Sequence, residues 1–209
     1  VIRHIINVLV NEKDKMVILK GEAVLFAMPP NKIIRSLKKA LRQDDAKIKN
    51  KVLLIFTEFQ RDSENFFKYL SDSLNSVKND KEKILYLECL GRAQNPKSIP
   101  ILEDHLNDSP LVAYTSMVSL LRAWGSNQDF PISEYLDHPK LNDIIKQMAL
   151  KHYVKIITPE RITEDMVNRF LTLLKSDNLN LRYLSSQALI KVYEDSVAEP
   201  FFLALVKET

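Results

Sequence analysis

The sequence predicts an all-α fold, a right-handed α-α superhelix (α-solenoid) of about six helical hairpins with the first and last partial. Three observations carry it. Apolar residues follow helical spacing along nearly the whole chain, and no segment alternates strictly as a half-buried strand does. Breaks in that pattern recur at a nearly constant interval. Only 3 of the 209 residues are glycine, far below the usual share of about 7%. Glycine supplies the positive φ of tight turns and phosphate-cradling loops, so its scarcity weighs against strand-rich folds and glycine-loop nucleotide sites.

The breaks fall at Pro29-Pro30-Asn31, Arg61-Asp62-Ser63, Asn95-Pro96, Ser109-Pro110, Phe130-Pro131, His138-Pro139, Thr158-Pro159 and Glu199-Pro200. Proline is tolerated in a first helical turn but costs about 3 kcal/mol in a helix interior, which makes these positions boundaries. First helices of successive pairs then begin near Lys32, Ser63, Lys97, Pro131 and Thr163, with Val197 opening one more. Steps of this length, roughly 31 to 35 residues, lie within the range of helical repeat arrays.

Each element has its own pattern. Ile2, Ile5, Ile6 and Leu9 make an apolar first helix. In the helix opened near Lys32, Ile33, Ile34, Leu37 and Leu41 form one stripe, and Arg35, Lys38, Lys39 and Arg42 lie off it. Second helices share a register with an acidic residue that closes the first. Asp44, Asp108 and Asp177 stand five residues before Lys49, Ala113 and Arg182. The residues just before that position are Ile48, Val112 and Leu181, followed seven residues later by Ile55-Phe56, Ser119-Leu120 and Ala188-Leu189. Less regular copies run over residues 81–93, with Cys89-Leu90, and 142–153, with Ala149-Leu150. These positions share one helix face and predict a buried seam. Phe201, Phe202 and Leu205 make the last helix apolar as well.

Residues 90–108 close one helix with Leu90-Gly91 and open the next with Ile99-Pro100-Ile101-Leu102. That junction resembles the HEAT repeat family, including its short bacterial relatives, and Asp177 with Leu181-Arg182 and Ala188-Leu189 resembles the family's aspartate-to-arginine pattern. The resemblance covers residues 32–194 and carries the armadillo-type fold with it. Departures exist: Lys49 and Ala113 stand where the family has arginine, and Ser116, Ser119, Ser185 and Ser186 replace alanines. A ladder of aspartate–arginine links would be incomplete. In such arrays second helices line the concave surface. Asn50, Leu54, Ile84, Glu88, Tyr114, Val118, Arg122, Ile144, Met148, Tyr183 and Gln187 would then face or edge it. Among these, Tyr114, Val118, Arg122, Met148, Tyr183 and Gln187 are candidate binding residues for a peptide or helix, because interface cores favour aromatics, Met and Arg. The function this implies is a non-catalytic protein–protein interaction scaffold.

The alternative is nucleic-acid binding. Residues 32–51 hold eight basic side chains against Asp44 and Asp45, and Arg35, Lys38, Lys39 and Arg42 form a candidate basic patch. No aromatic is interleaved for base stacking, which favours an ordinary solvated face. HEAT-like DNA glycosylases use tryptophans and an aspartate on a basic face; Trp124 and Asp129 loosely resemble that pair, but in an acidic stretch. A nucleic-acid partner is therefore the weaker expectation, and a protein or peptide partner the stronger.

The rest of the sequence narrows the chemistry further. The four histidines show no metal-ligand spacing, and no nucleophile elbow, Walker loop or dinucleotide fingerprint occurs. No catalytic residue, metal or cofactor is expected. Cys89 lies in an apolar run and is expected to be buried. No apolar run approaches the roughly 20 residues of a membrane span. Arg3, His4 and Asn7 interrupt the first segment, which does not read as a secretory leader; a cytoplasmic setting is favoured. One domain over residues 1–209 is expected, as a piece of a longer chain. Solenoid ends normally carry polar caps, and these apolar ones imply end-to-end self-association or docking on flanking domains.

Overall fold

A computed structural model of the chain describes residues 2–42 and 45–192. Among these residues there are twelve α-helices and one 3-10 turn, and no strand. In chain order they are α1 (Ile2–Asn11), α2 (Lys15–Phe26), α3 (Pro30–Ala40), α4 (Ala46–Phe59), α5 (Glu64–Ser76) and α6 (Asp80–Ala93). There follow α7 (Ser98–Asp104), α8 (Pro110–Trp124), α9 (Ile132–Asp137), α10 (Asp143–Ile156), the 3-10 turn (Pro159–Arg161), α11 (Glu164–Leu173) and α12 (Leu179–Val192).

Local chemistry explains the starts. Asp14, Asp45, Ser63, Asn79, Asn142 and Thr163 each accept a hydrogen bond from a first-turn backbone N–H, satisfying donors that no earlier turn can reach. Pro30 and Pro110 occupy first helical turns, where a missing N–H costs nothing. Helix α6 ends on Gln94 in the left-handed region, at φ 53°.

Packing follows chain order. Helix α3 lies on α4, α5 on α6, α7 on α8, α9 on α10 and α11 on α12. The even-numbered helices α4, α6, α8, α10 and α12 each pack on the next. The buried seam is made by the expected positions: Ile55-Phe56, Cys89-Leu90, Ser119-Leu120, Ala149-Leu150 and Ala188-Leu189 are all buried. Ile48 is only half-buried. Helices α6 and α8 approach so closely that a Cβ on Gly91 would stand 2.5 Å from the Cα of Ser119. The Leu-Gly pair at that junction is thus a packing requirement.

Polar links repeat at the same interval as the helix starts. Seven hydrogen bonds between two side chains among the described residues join positions 32 to 35 apart. They include Lys97 to Glu64 at 2.7 Å, Tyr135 to Glu103 at 2.6 Å, Arg161 to Asp129 at 2.7 Å and Asn178 to Asp143 at 2.9 Å. Two of these links, Arg161–Asp129 and Arg169–Asp137, are aspartate–arginine pairs, but among the described residues the aspartates and arginines of the second-helix register do not pair with one another. Asp108 accepts from Lys83 of α6 at 2.9 Å and faces His105, and Arg182 donates to the Ser176 carbonyl at 2.7 Å.

The amino-terminal end differs from the sequence expectation. Residues 2–26 form two helices, a whole hairpin instead of a partial one. The apolar side of α1 is covered: Ile6 and Leu9 are buried, because α2, α3 and α4 all pack against that helix. Uncovered apolar groups lie on α2 instead, with Met16 at 60% and Leu19 at 58% exposure. Asp44, and the last helix expected from Val197 with Phe201, Phe202 and Leu205, lie outside the described residues. No described helix is long and apolar enough to cross a membrane.

Candidate functional site

Aligning the even-numbered helices on their buried seam places Tyr114 of α8, Ile144 of α10 and Tyr183 of α12 in equivalent positions. All three are solvent-exposed, at 49%, 59% and 58%. One turn further on stand Val118, Met148 and Gln187, each half-buried. Helical spacing makes this happen: residues four apart share a face, so a seam on one side leaves the next face open at every repeat.

This face includes a groove of about 530 Å³ between α10 and α12. Helix α10 lines it with Ile144, Gln147, Met148, Lys151, Val154 and Lys155; α12 lines it with Asn180, Tyr183, Leu184 and Gln187. Val154 and Leu184 are buried beneath it, Met148 is half-buried and Ile144 is exposed. The Asn180 amide donates to Gln147 Oε1 at 3.2 Å, and the Gln187 amide donates to the Tyr183 hydroxyl at 2.8 Å. Lys191 donates to the Val154 and Ile157 carbonyls and so pins α12 to the end of α10. Such a space is within the usual range for ligand pockets, about 300–1,000 Å³.

Three of the six sequence-derived candidates, Met148, Tyr183 and Gln187, come together in this groove. The other three, Tyr114, Val118 and Arg122, lie one helix back, on α8. Periodicity missed Lys151 and Lys155. They sit seven and eleven residues after Ile144, on the same face, but the α10 copy was too irregular for its register to be extended that far.

Nearer the amino terminus the equivalent positions are Asn50 and Leu54 of α4 and Ile84 and Glu88 of α6, of which only Asn50 is exposed, and the charged groups beside them pair with one another. Glu58 of α4 pairs with Arg61, and Arg92 of α6 pairs with Glu88 at 2.9 Å and approaches Glu58 at 3.9 Å. The basic patch lies elsewhere, on α3. Arg35, Lys38 and Lys39 are exposed there with Arg42 just beyond, opposite the buried Ile33, Leu37 and Ala40.

Trp124 and Asp129 are apart in role. Trp124 packs edge-on against Phe130 (centroids 5.8 Å), within a cluster that also stacks Phe130 on Tyr135 and sets His152 against Phe130. Asp129 is exposed and paired with Arg161. Burial drives the His152 pKa down, Lys155 adds to that, and a hydrogen bond with the Gly125 backbone opposes it. Tyr135 is pushed far up by burial and by its bond to Glu103, so it stays a neutral donor. Burial also lifts the Cys89 thiol to about 12, which leaves it protonated and unreactive.

At Asp108 burial works against ionisation, but the bonds from Lys83 and His105 outweigh it and hold the carboxyl below its usual range. No group of three or more His, Cys, Asp or Glu among the described residues is arranged to hold a metal ion. No protein-family model matches the chain, and no curated protein is significantly similar to it in sequence.

Proposed function

We propose that this chain is a non-catalytic interaction scaffold of HEAT-like repeats, an α-solenoid whose second helices form a concave face that binds a protein segment. The repeat reading is supported by the even-helix packing order and by polar links spaced 32 to 35 residues apart. The binding reading rests mainly on one observation. Tyr114, Ile144 and Tyr183 are exposed at equivalent positions of three successive second helices, beside the α10–α12 groove. Large apolar and tyrosine side chains aligned on one face lose free energy to water at each repeat, and a partner that covers them recovers it.

The test is selection of a phage-displayed library of random 12-residue peptides on the chain, followed by affinity measurement with variants. Tyr183→Ala should weaken an enriched peptide at least fivefold, as loss of a tyrosine anchor commonly exceeds about 1 kcal/mol. Tyr69→Ala, at an exposed tyrosine of α5, should leave it unchanged. No enrichment, or equal effects at both tyrosines, contradicts the proposal. Tight binding of a 30-base-pair duplex that collapses as salt rises would favour phosphate contact through α3 instead.

A further inference from the structure

We infer that the α10–α12 groove selects an acidic partner, a short segment that seats one bulky apolar side chain between carboxylates; this rests on the scaffold reading above. The groove has two chemically distinct parts. Its apolar floor is made by the buried Val154 and Leu184 with the half-buried Met148, while Ile144 is exposed. Among the described residues its only charged lining groups are Lys151 and Lys155, one turn apart on α10 and both exposed.

Neither lysine makes an ion pair with a described residue, whereas Lys51, Lys83 and Lys97 all do. No carboxylate among the described residues lines the groove, and the nearby Asp143 already accepts a hydrogen bond from Asn178 at 2.9 Å. A positive rim without counter-charge among the described residues, set over an apolar floor, complements an acidic segment with an apolar anchor. It discriminates against a basic one, since like charges brought together at an interface are penalised. A nucleic-acid backbone would meet the same lysines but would leave the apolar floor unfilled, so a peptide fits the whole groove better.

The experiment uses the same random 12-residue peptide library on the full chain, and reads the composition of the enriched pool. The pool should carry Asp or Glu flanking a Leu, Phe, Tyr or Trp. A synthetic peptide from that pool should bind the double variant Lys151→Glu, Lys155→Glu at least fivefold more weakly. Its counterpart with every acid replaced by lysine should prefer that variant to the unaltered chain. The control variant Arg35→Glu, Lys38→Glu makes the same change in net charge on α3 and should leave the affinity within twofold. Circular dichroism checks that each variant keeps its helix content.

An enriched pool without excess carboxylates, a loss under fivefold, or an equal loss in the α3 control overturns the acidic-partner inference while leaving the scaffold proposal standing. Failure to enrich any peptide overturns both. Preferential binding of a DNA duplex at the two lysines, lost in the double variant, also overturns the inference.

Discussion

Ser119 and Ser185 are buried hydroxyls of α8 and α12, and neither oxygen has a hydrogen-bond partner among the described residues. Ser116 differs, because its hydroxyl donates to the Leu102 carbonyl at 2.5 Å. A buried polar group without a partner costs about 1–3 kcal/mol. Ser185→Ala should therefore stabilise the protein by about 1 kcal/mol in urea unfolding, while Ser116→Ala should not. His152 gives the second residue-scale prediction. Its folded pKa lies below the unfolded value of about 6.5. Its contribution is therefore fully present above that pH and is lost as pH falls through the folded pKa. The urea midpoint should drop between pH 7 and 5, and His152→Phe should remove part of that drop. A variant with the full pH dependence would show that His152 is not its source.

Two helical glycines separate overpacking from propensity at the scale of elements. At Gly91 an added Cβ would meet the Ser119 backbone at 2.5 Å, and backbone cannot step aside without moving α8. Gly91→Ala should destabilise by about 1–3 kcal/mol. At Gly21 the obstacle is the far end of the Leu9 side chain at 2.7 Å, a group that can rotate. Gly21→Ala should be neutral or stabilising, by up to about 1 kcal/mol, because alanine is the better helix former. Thermal or urea unfolding of the two variants checks the contrast; equal effects would mean that α6 and α8 are not in close contact.

Much at this scale was readable from the chain. Helices expected near Ser63, Lys97, Pro131 and Thr163 begin at Glu64, Ser98, Ile132 and Glu164, because caps and prolines mark those starts locally. The α1–α2 hairpin was not readable. Its turn around Glu12 and Asp14 holds neither proline nor glycine, and only the Asp14 cap marks it. The two groove lysines were missed for a different reason. Membership of a groove depends on how α12 lies along α10, and a single helix's periodicity carries no information about its neighbour.

At the scale of the whole molecule, one packing rule repeated along the chain yields two unlike stretches of the even-helix face. At the equivalent positions α4 and α6 hold the exposed Asn50 and the half-buried Ile84, with Glu58, Glu88 and Arg92 paired among themselves alongside. Around α8, α10 and α12 they hold Tyr114, Ile144 and Tyr183, which nothing in the described chain covers. Rows of equal geometry thus differ in what they offer a partner, and the proposed site falls on the carboxyl-terminal stretch. Backbone amide hydrogen exchange tests this most directly, with and without a saturating peptide selected on the chain. Added protection should concentrate in α10 and α12, with α3 and α5 unchanged. Protection centred on α3 or α5, with α10 and α12 exchanging as before, would contradict it.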